Sequence, residues 1–211
     1  MTRRTRQGVA ALLLSGGLLF AAGCATTAAD GNLAERMAQL LKDSFTPAGQ
    51  AGLDRLQQDD TQRACSAARG TALPPEVAAQ IEQVNLATIR YPADGKLMGD
   101  WSKGERIAQE GRGKQFSDDP SAPAGANCYA CHRLSRTELS FGTLGPSLYE
   151  YGKLRGTSVE VQRYTFGKIY NAEAFTACSN MPRFGHKGIL TEQQIKDVTA
   201  LLLDPASPVN R

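Results

Sequence analysis

An all-α fold is what this sequence predicts, and three observations carry the prediction. Apolar residues recur three or four apart in separate stretches, from Leu33 to Leu41, from Val77 to Val84 and from Ile195 to Leu202, the spacing that lines one face of a helix. Two stretches, Ser102-Lys103-Gly104-Glu105 and Thr191-Glu192-Gln193-Gln194, have the form of a capping box. In it a hydroxyl and a carboxyl or amide three residues apart satisfy the orphan amides of a helix start. One of these stretches precedes, and the other follows, Ala126-Asn127-Cys128-Tyr129-Ala130-Cys131-His132, the segment around which the chain is organised.

Two cysteines with two residues between them, followed at once by histidine, form the attachment signature of a c-type haem. Each thiol can make a thioether to a former vinyl group of the porphyrin, and the adjacent imidazole reaches the iron. A zinc half-site is the competing reading, and it needs a second ligand pair to complete four-coordination. The remaining three cysteines and one histidine form no second clustered pair. The expected cofactor is therefore one covalently bound haem c, held by Cys128 and Cys131 with His132 on the iron.

In chain order, residues 1–24 read as an export signal. Arg3, Arg4 and Arg6 make a basic start, Val9 to Phe20 an apolar run, and small residues follow up to Cys24. The run is too short to cross a bilayer. Ala22-Gly23-Cys24 also resembles a lipobox, although Ala21 stands where leucine is usual. Two expectations stay open: a chain lipidated at Cys24 and tethered to a membrane, or a soluble periplasmic protein released by ordinary cleavage. Without residues 1–23, 21 basic side chains face 21 acidic ones. A near-neutral chain argues against a general nucleic-acid binder, which needs a basic face.

Residues 25–96 read as a helical N-terminal extension. A flexible lead gives way to a helix near Leu33 that runs through Met37, Leu40 and Leu41. A second helix is expected from Leu53 through Leu56 towards Cys65. Pro75 suits the first turn of a third, with Val77, Ile81 and Val84 on one face. This extension carries no ligand constellation and is expected to pack on the domain that follows or on a partner.

Residues 97–211 read as the haem domain. Its first helix is expected to start at the Ser102 box. Gly104 and Gly111, costly inside a helix, suggest a close backbone crossing there. A loop from Ser117 to Ala124 delivers the chain to Cys128. After His132, the Phe141–Leu148 loop can place the Pro146 carbonyl against the far nitrogen of the imidazole, fixing the ring. Tyr149, Tyr151, Tyr164, Phe166 and Tyr170 are candidates for porphyrin walls. The last helix begins at Thr191, and Asp204-Pro205 ends it.

A six-coordinate iron needs one more ligand. Met181, in Asn180-Met181-Pro182-Arg183-Phe184 just ahead of the last helix, is the expected one. His186, Met98, Met37 and Cys178 are the alternatives. Methionine raises the potential relative to bis-histidine ligation, as suits an electron acceptor. Cys65 and Cys178 remain over, and in an exported chain two leftover cysteines most simply pair. Two separate thiols, or a thiolate on iron, are the other readings.

Leu144-Gly145-Pro146-Ser147-Leu148 with Tyr151-Gly152, then Ala177-Cys178-Ser179-Asn180-Met181-Pro182-Arg183-Phe184-Gly185 and the closing Leu202-Leu203-Asp204-Pro205-Ala206-Ser207-Pro208-Val209-Asn210, resemble the SoxX family. These are small cytochrome subunits of the bacterial sulfur-oxidation complex SoxAX. The resemblance covers about residues 95–211. It implies a class I cytochrome c-like haem domain with His132 and Met181 as axial ligands. It also implies a heterodimer with SoxA, whose own haem performs the sulfur chemistry. The pair acts as an L-cysteine S-thiosulfotransferase, joining thiosulfate to the carrier cysteine of SoxYZ with release of two electrons. The implied role here is relay: electrons pass from the SoxA haem to a small c-type cytochrome, and no catalytic residue is expected in this chain. A free-standing periplasmic or lipid-anchored monohaem carrier is the alternative. A haem sensor lacking Met181 on iron is a third.

Overall fold

The computed structural model describes residues 26–211, with side chains from Asn32 onward. The expected lipidation at Cys24 and the signal segment lie outside the described residues. Those residues are helical and contain no strand, only an isolated bridge between Ala48 and Ala51. The fold is all-α. The chain divides into two units, one ending at Ser44 and one running from Phe45 to Arg211.

In the first unit, α1 spans Thr26–Ser44. Leu33, Met37, Leu40 and Leu41 share one face and are exposed. Among the described residues, no helix is long and apolar enough to cross a membrane.

The second unit takes in residues 45–96 together with residues 97–211. The single helix expected from Leu53 towards Cys65 is instead two pieces. A 3₁₀ turn at Leu53–Leu56 is followed by a break, and then by α2 over Asp60–Ala67. The break has a local cause. Asp59 caps α2, its side chain accepting the Gln62 amide at 2.9 Å while Gln62 accepts the Asp59 amide at 3.0 Å, so the helix restarts there.

Helix α3 spans Pro75–Leu86 with proline in its first turn. Its inward face differs from the expectation: Val84 is 53% exposed, and Asn85 turns inward beside Ile81. The Asn85 amide donates to Thr61 of α2 and to the Ile81 carbonyl, while its oxygen accepts from Asn171 at 2.9 Å. A buried amide is stable only when its bonds are made, and these bonds tie α2, α3 and the turn at residue 171 into one body.

Helices α4, Trp101–Gln109, and α7, Glu192–Leu203, form the principal crossing of the unit. A Cβ at Gly104 would run into the Asp197 carbonyl and touch Leu201 at 3.0 Å, so only glycine permits this approach. Gly111 lies beyond the end of α4, against the Asn127 side chain, and plays no part in the crossing. The start of α4 also falls earlier than the Ser102 box suggests. Asp100 is the cap, accepting the Ser102 and Lys103 amides at 2.8 and 3.4 Å, which leaves Glu105 to turn inward. The Thr191 box forms as a reciprocal pair with Gln194.

Helix α7 is buried along most of its length, Ile195, Leu201 and Leu203 completely. Helices α5, Tyr151–Arg155, and α6, Val159–Tyr170, pack against it. The last residues latch this frame. Asn210 accepts the Gly152 amide at 2.8 Å and donates to the Leu202 and Asp204 carbonyls at 3.0 Å, satisfying orphan groups at the end of one helix and the start of another.

Candidate haem-binding cleft

A narrow apolar cleft opens on the inner face of α7. Val198 and Leu202 of α7 form its floor, with Ile169 of α6. Phe184 and Leu190 line the side leading into α7. Leu134 and Leu148 belong to the segment after His132. Three polarisable or ligating side chains reach into this apolar surface: Cys128, His132 and Met181.

Cys128 to Ala130 form a 3₁₀ turn entered through Asn127, which adopts a left-handed φ of 46°. The Cys131 and His132 amides both donate back to the Cys128 carbonyl, at 3.1 and 2.9 Å. The turn therefore presents the first thiol and the imidazole to the same side. Cys131 is half-buried and lies just outside the lining. Burial pushes the Cys128 thiol up to about 12. That is the reverse of what a redox Cys-x-x-Cys uses, since such centres work through a thiolate. Zinc is poorly served as well. Among the described residues no three His, Cys, Asp or Glu side chains converge as a metal-binding group, and a structural zinc takes four.

The loop after His132 is braced by backbone bonds. The Gly142, Gly145 and Leu148 amides donate to the Tyr129, Cys131 and Arg133 carbonyls at 2.8–2.9 Å. Gly145 lies flat against the imidazole, and a Cβ there would fall inside contact distance of all three ring atoms nearest it. His132 Nδ1 is 2.7 Å from the Pro146 carbonyl oxygen. A carbonyl only accepts, so Nδ1 carries the proton and Nε2 keeps its lone pair for an electrophile. This is the arrangement that orients and strengthens a metal-binding histidine.

Met181, in the stretch between α6 and α7, also lines the cleft. The Met181 amide donates to the Ser179 hydroxyl at 3.2 Å. Cys178, at φ 59°, is joined by a disulfide to Cys65 of α2, and its amide donates to Glu173 at 2.6 Å. The Ala177 amide donates to Glu82 of α3 at 3.1 Å. Beyond Met181, the buried Arg183 donates to Asp59 at 2.5 Å, and Lys187 reaches the same oxygen at 2.6 Å. Partial burial of Asp59 works against it, but bonds from Lys187, the Gln62 amide and Arg183 hold its carboxyl well below the usual range.

Of the alternative ligands, His186 does not line the cleft; its amide is tied to the Tyr170 carbonyl. Met98 packs against the core elsewhere. The aromatic walls expected from Tyr149, Tyr151, Tyr164, Phe166 and Tyr170 are not those of the cleft. Phe166 is fully buried between Tyr91 and Tyr170, and Tyr164 packs edge-on against Phe175. The lining is aliphatic apart from Phe184 because the cleft is cut into the same face of α7 that makes the core.

Sequence reasoning missed the carboxylates at Asp59, Glu82 and Glu173, all of which hold the Met181 segment. Only Asp59 had a local signal, in the spacing of Asp59 and Gln62. It also missed Glu105, whose Oε1 accepts from Tyr129 at 2.9 Å while Oε2 is buried without a partner. Burial pushes this carboxyl upward, against the hydrogen bonds from Tyr129 and Gln109.

An apolar cleft lined by the Cys128 thiol, an imidazole offering Nε2 and a thioether, with the Cys131 thiol close by in the chain, is a donor set that fits haem c. The thiols would suit covalent attachment, the nitrogen and sulfur would serve as iron ligands, and the aliphatic lining would suit a porphyrin face.

No family model matches this chain. It is 39% identical over 155 residues to an uncharacterized lipoprotein of Aquifex aeolicus (strain VF5), and the match spans 73% of each chain.

Proposed function

The chain belongs to the same family as the Aquifex aeolicus lipoprotein, and from that premise we propose that it is a monohaem c-type cytochrome of the SoxX kind, relaying electrons for a SoxAX complex. The observation that carries the reading is the convergence of Cys128, His132 and Met181 on one apolar cleft, with His132 Nδ1 fixed by Pro146.

Cys128 and Cys131 would hold the group through thioethers, and His132 Nε2 and the Met181 sulfur would be its iron ligands. A haem c bound there supplies a one-electron iron couple. The residues around it do the rest. The Pro146 carbonyl fixes the imidazole tautomer, Leu134, Leu148 and Val198 line the site with apolar surface, and a thioether on the iron would favour its reduced form and so a higher potential. The sulfur chemistry belongs to a SoxA-type partner. There, a carrier thiol of SoxYZ and thiosulfate become an S-thiosulfonate, with release of one proton and two electrons. This chain accepts such electrons singly and passes them to a small c-type cytochrome.

The relative's description as a lipoprotein, with Ala22-Gly23-Cys24, supports a chain exported to the periplasm and tethered through an acylated Cys24. Cys24→Ala is expected to move it from the membrane fraction to the soluble periplasmic fraction.

The test of the main reading is gentle purification from the host's periplasmic and membrane fractions, with haem counted by mass and absorbance. One haem in this chain, co-eluting with a second cytochrome that supports thiosulfate conjugation, is the expected result. One haem in a lone, electron-competent chain makes it a free-standing carrier instead. No covalent haem overturns both.

A further inference from the structure

The N-terminal part of the second unit makes no contribution to the cleft lining, yet three of its side chains converge on the segment that carries Met181. Cys65 of α2 bonds covalently to Cys178, three residues before Met181. Asp59, the cap of α2, binds Arg183 two residues after it, and Lys187 as well. Glu82 of α3 accepts the Ala177 amide. The methionine is thus bracketed on both sides by one small body, which the buried Thr61–Asn85–Asn171 bonds make rigid.

The segment itself has little to hold it. Residues 177–183 form no helix, and Cys178 is in the left-handed region, where a side chain is strained unless neighbours hold it. A thioether is a weak ligand, so how long it stays on iron depends on how often its segment swings away. The His132 side needs no such help, being braced by its own backbone.

We infer that Asp59, Cys65 and Glu82 are positioning residues for Met181, and that residues 45–96 serve as the clamp that keeps this ligand in the cleft. The inference rests on the haem reading above.

The holoprotein tests it through two readouts specific to the sixth ligand. These are the sulfur-to-iron charge-transfer band of the ferric form, and the rate of carbon monoxide binding to the ferrous form. Haem content and far-UV circular dichroism are followed in parallel. With Asp59→Asn, which keeps a cap oxygen but loses the charge, and with Cys65→Ser/Cys178→Ser, the band is expected to weaken at unchanged haem content. Carbon monoxide should bind about tenfold faster, the scale of losing a charge-assisted hydrogen bond that keeps a segment closed. Asp59→Glu should recover most of the wild-type rate. Should the variants fail to fold, the disulfide is opened in the folded wild-type holoprotein with a phosphine and its opening verified by thiol count. The same acceleration is then expected. A wild-type band lost in Met181→Ala but indifferent to all three manipulations, with an unchanged carbon monoxide rate, overturns the clamp and leaves the haem reading standing. A wild type that never shows the band overturns the Met181 assignment itself, and the clamp with it.

Discussion

The two walls of the cleft are built on opposite principles. The His132 wall is local: the imidazole, the turn that presents it and the carbonyl that orients it lie between Asn127 and Leu148, joined by main-chain bonds. The Met181 wall is assembled from a distance. Its tethers come from Asp59, Cys65 and Glu82, far back in the chain, and they act through side chains. On the proposed haem reading, the stronger ligand is supported mainly by main-chain bonds and the weaker one by side chains. The stable half of the site is therefore the half that sequence local to the motif specifies. The adjustable half is the one whose support is spread over the fold.

Several measurements break or sharpen this contrast. The largest effect is expected on the rigid wall. Gly145→Val puts carbon into the space of an imidazole that the Pro146 carbonyl holds in place, so covalent haem and native ligation should both be lost, as haemochrome assay and visible spectra will report. Met181→Ala should be milder, abolishing the charge-transfer band while leaving covalent haem and far-UV circular dichroism intact. Under denaturant, the band should disappear at a lower concentration than the far-UV signal, because the Met181 segment opens before the α4–α7 frame. Coincident transitions would erase the contrast.

Acidity should act on the same wall. The Asp59 carboxyl is held below its ordinary range in the folded protein. Its contribution is therefore complete at neutral pH and is lost as pH falls below about 4, where the unfolded carboxyl takes up its proton first. The band should fade in acid in the wild type and lose that part of its pH dependence in Asp59→Asn. The smallest effect serves as a control. Thr191→Ala removes one partner of the α7 cap, costing about 1 kcal/mol. Since α7 supports both walls, the band and the far-UV signal should shift together.

This division also explains what could be read from the chain. Helices with a strong period or a reciprocal cap, such as α7 with Thr191 and Gln194, are decided within a dozen residues. So was the relation of Pro146 to His132, because the intervening loop is short and its glycine leaves one way to pack. The α2 boundary was misread because Asp59 and Gln62 were passed over in favour of apolar spacing. Asp100 displaced Ser102 as cap because its carboxylate accepts the Ser102 and Lys103 amides, which starts the helix two residues earlier. Val84 lost its inward place to Asn85, whose partner Asn171 lies far along the chain. The porphyrin-wall aromatics failed for a related reason: composition says that Phe166 is buried, and only tertiary packing says against what. The tethers of Met181 were invisible because each joins residues separated by most of the domain.

The α4–α7 crossing has a bearing on how the protein is made. Helix α7 supplies at once the floor of the cleft and the surface that Gly104 fits closely, and it follows the Cys128–His132 turn by some sixty residues. Until Glu192–Leu203 has emerged and docked, the turn at Cys128–His132 has no wall behind it. Contacts between such distant segments are also the slowest to form. On the proposed haem reading, covalent attachment at both thiols would have to precede the docking of this helix.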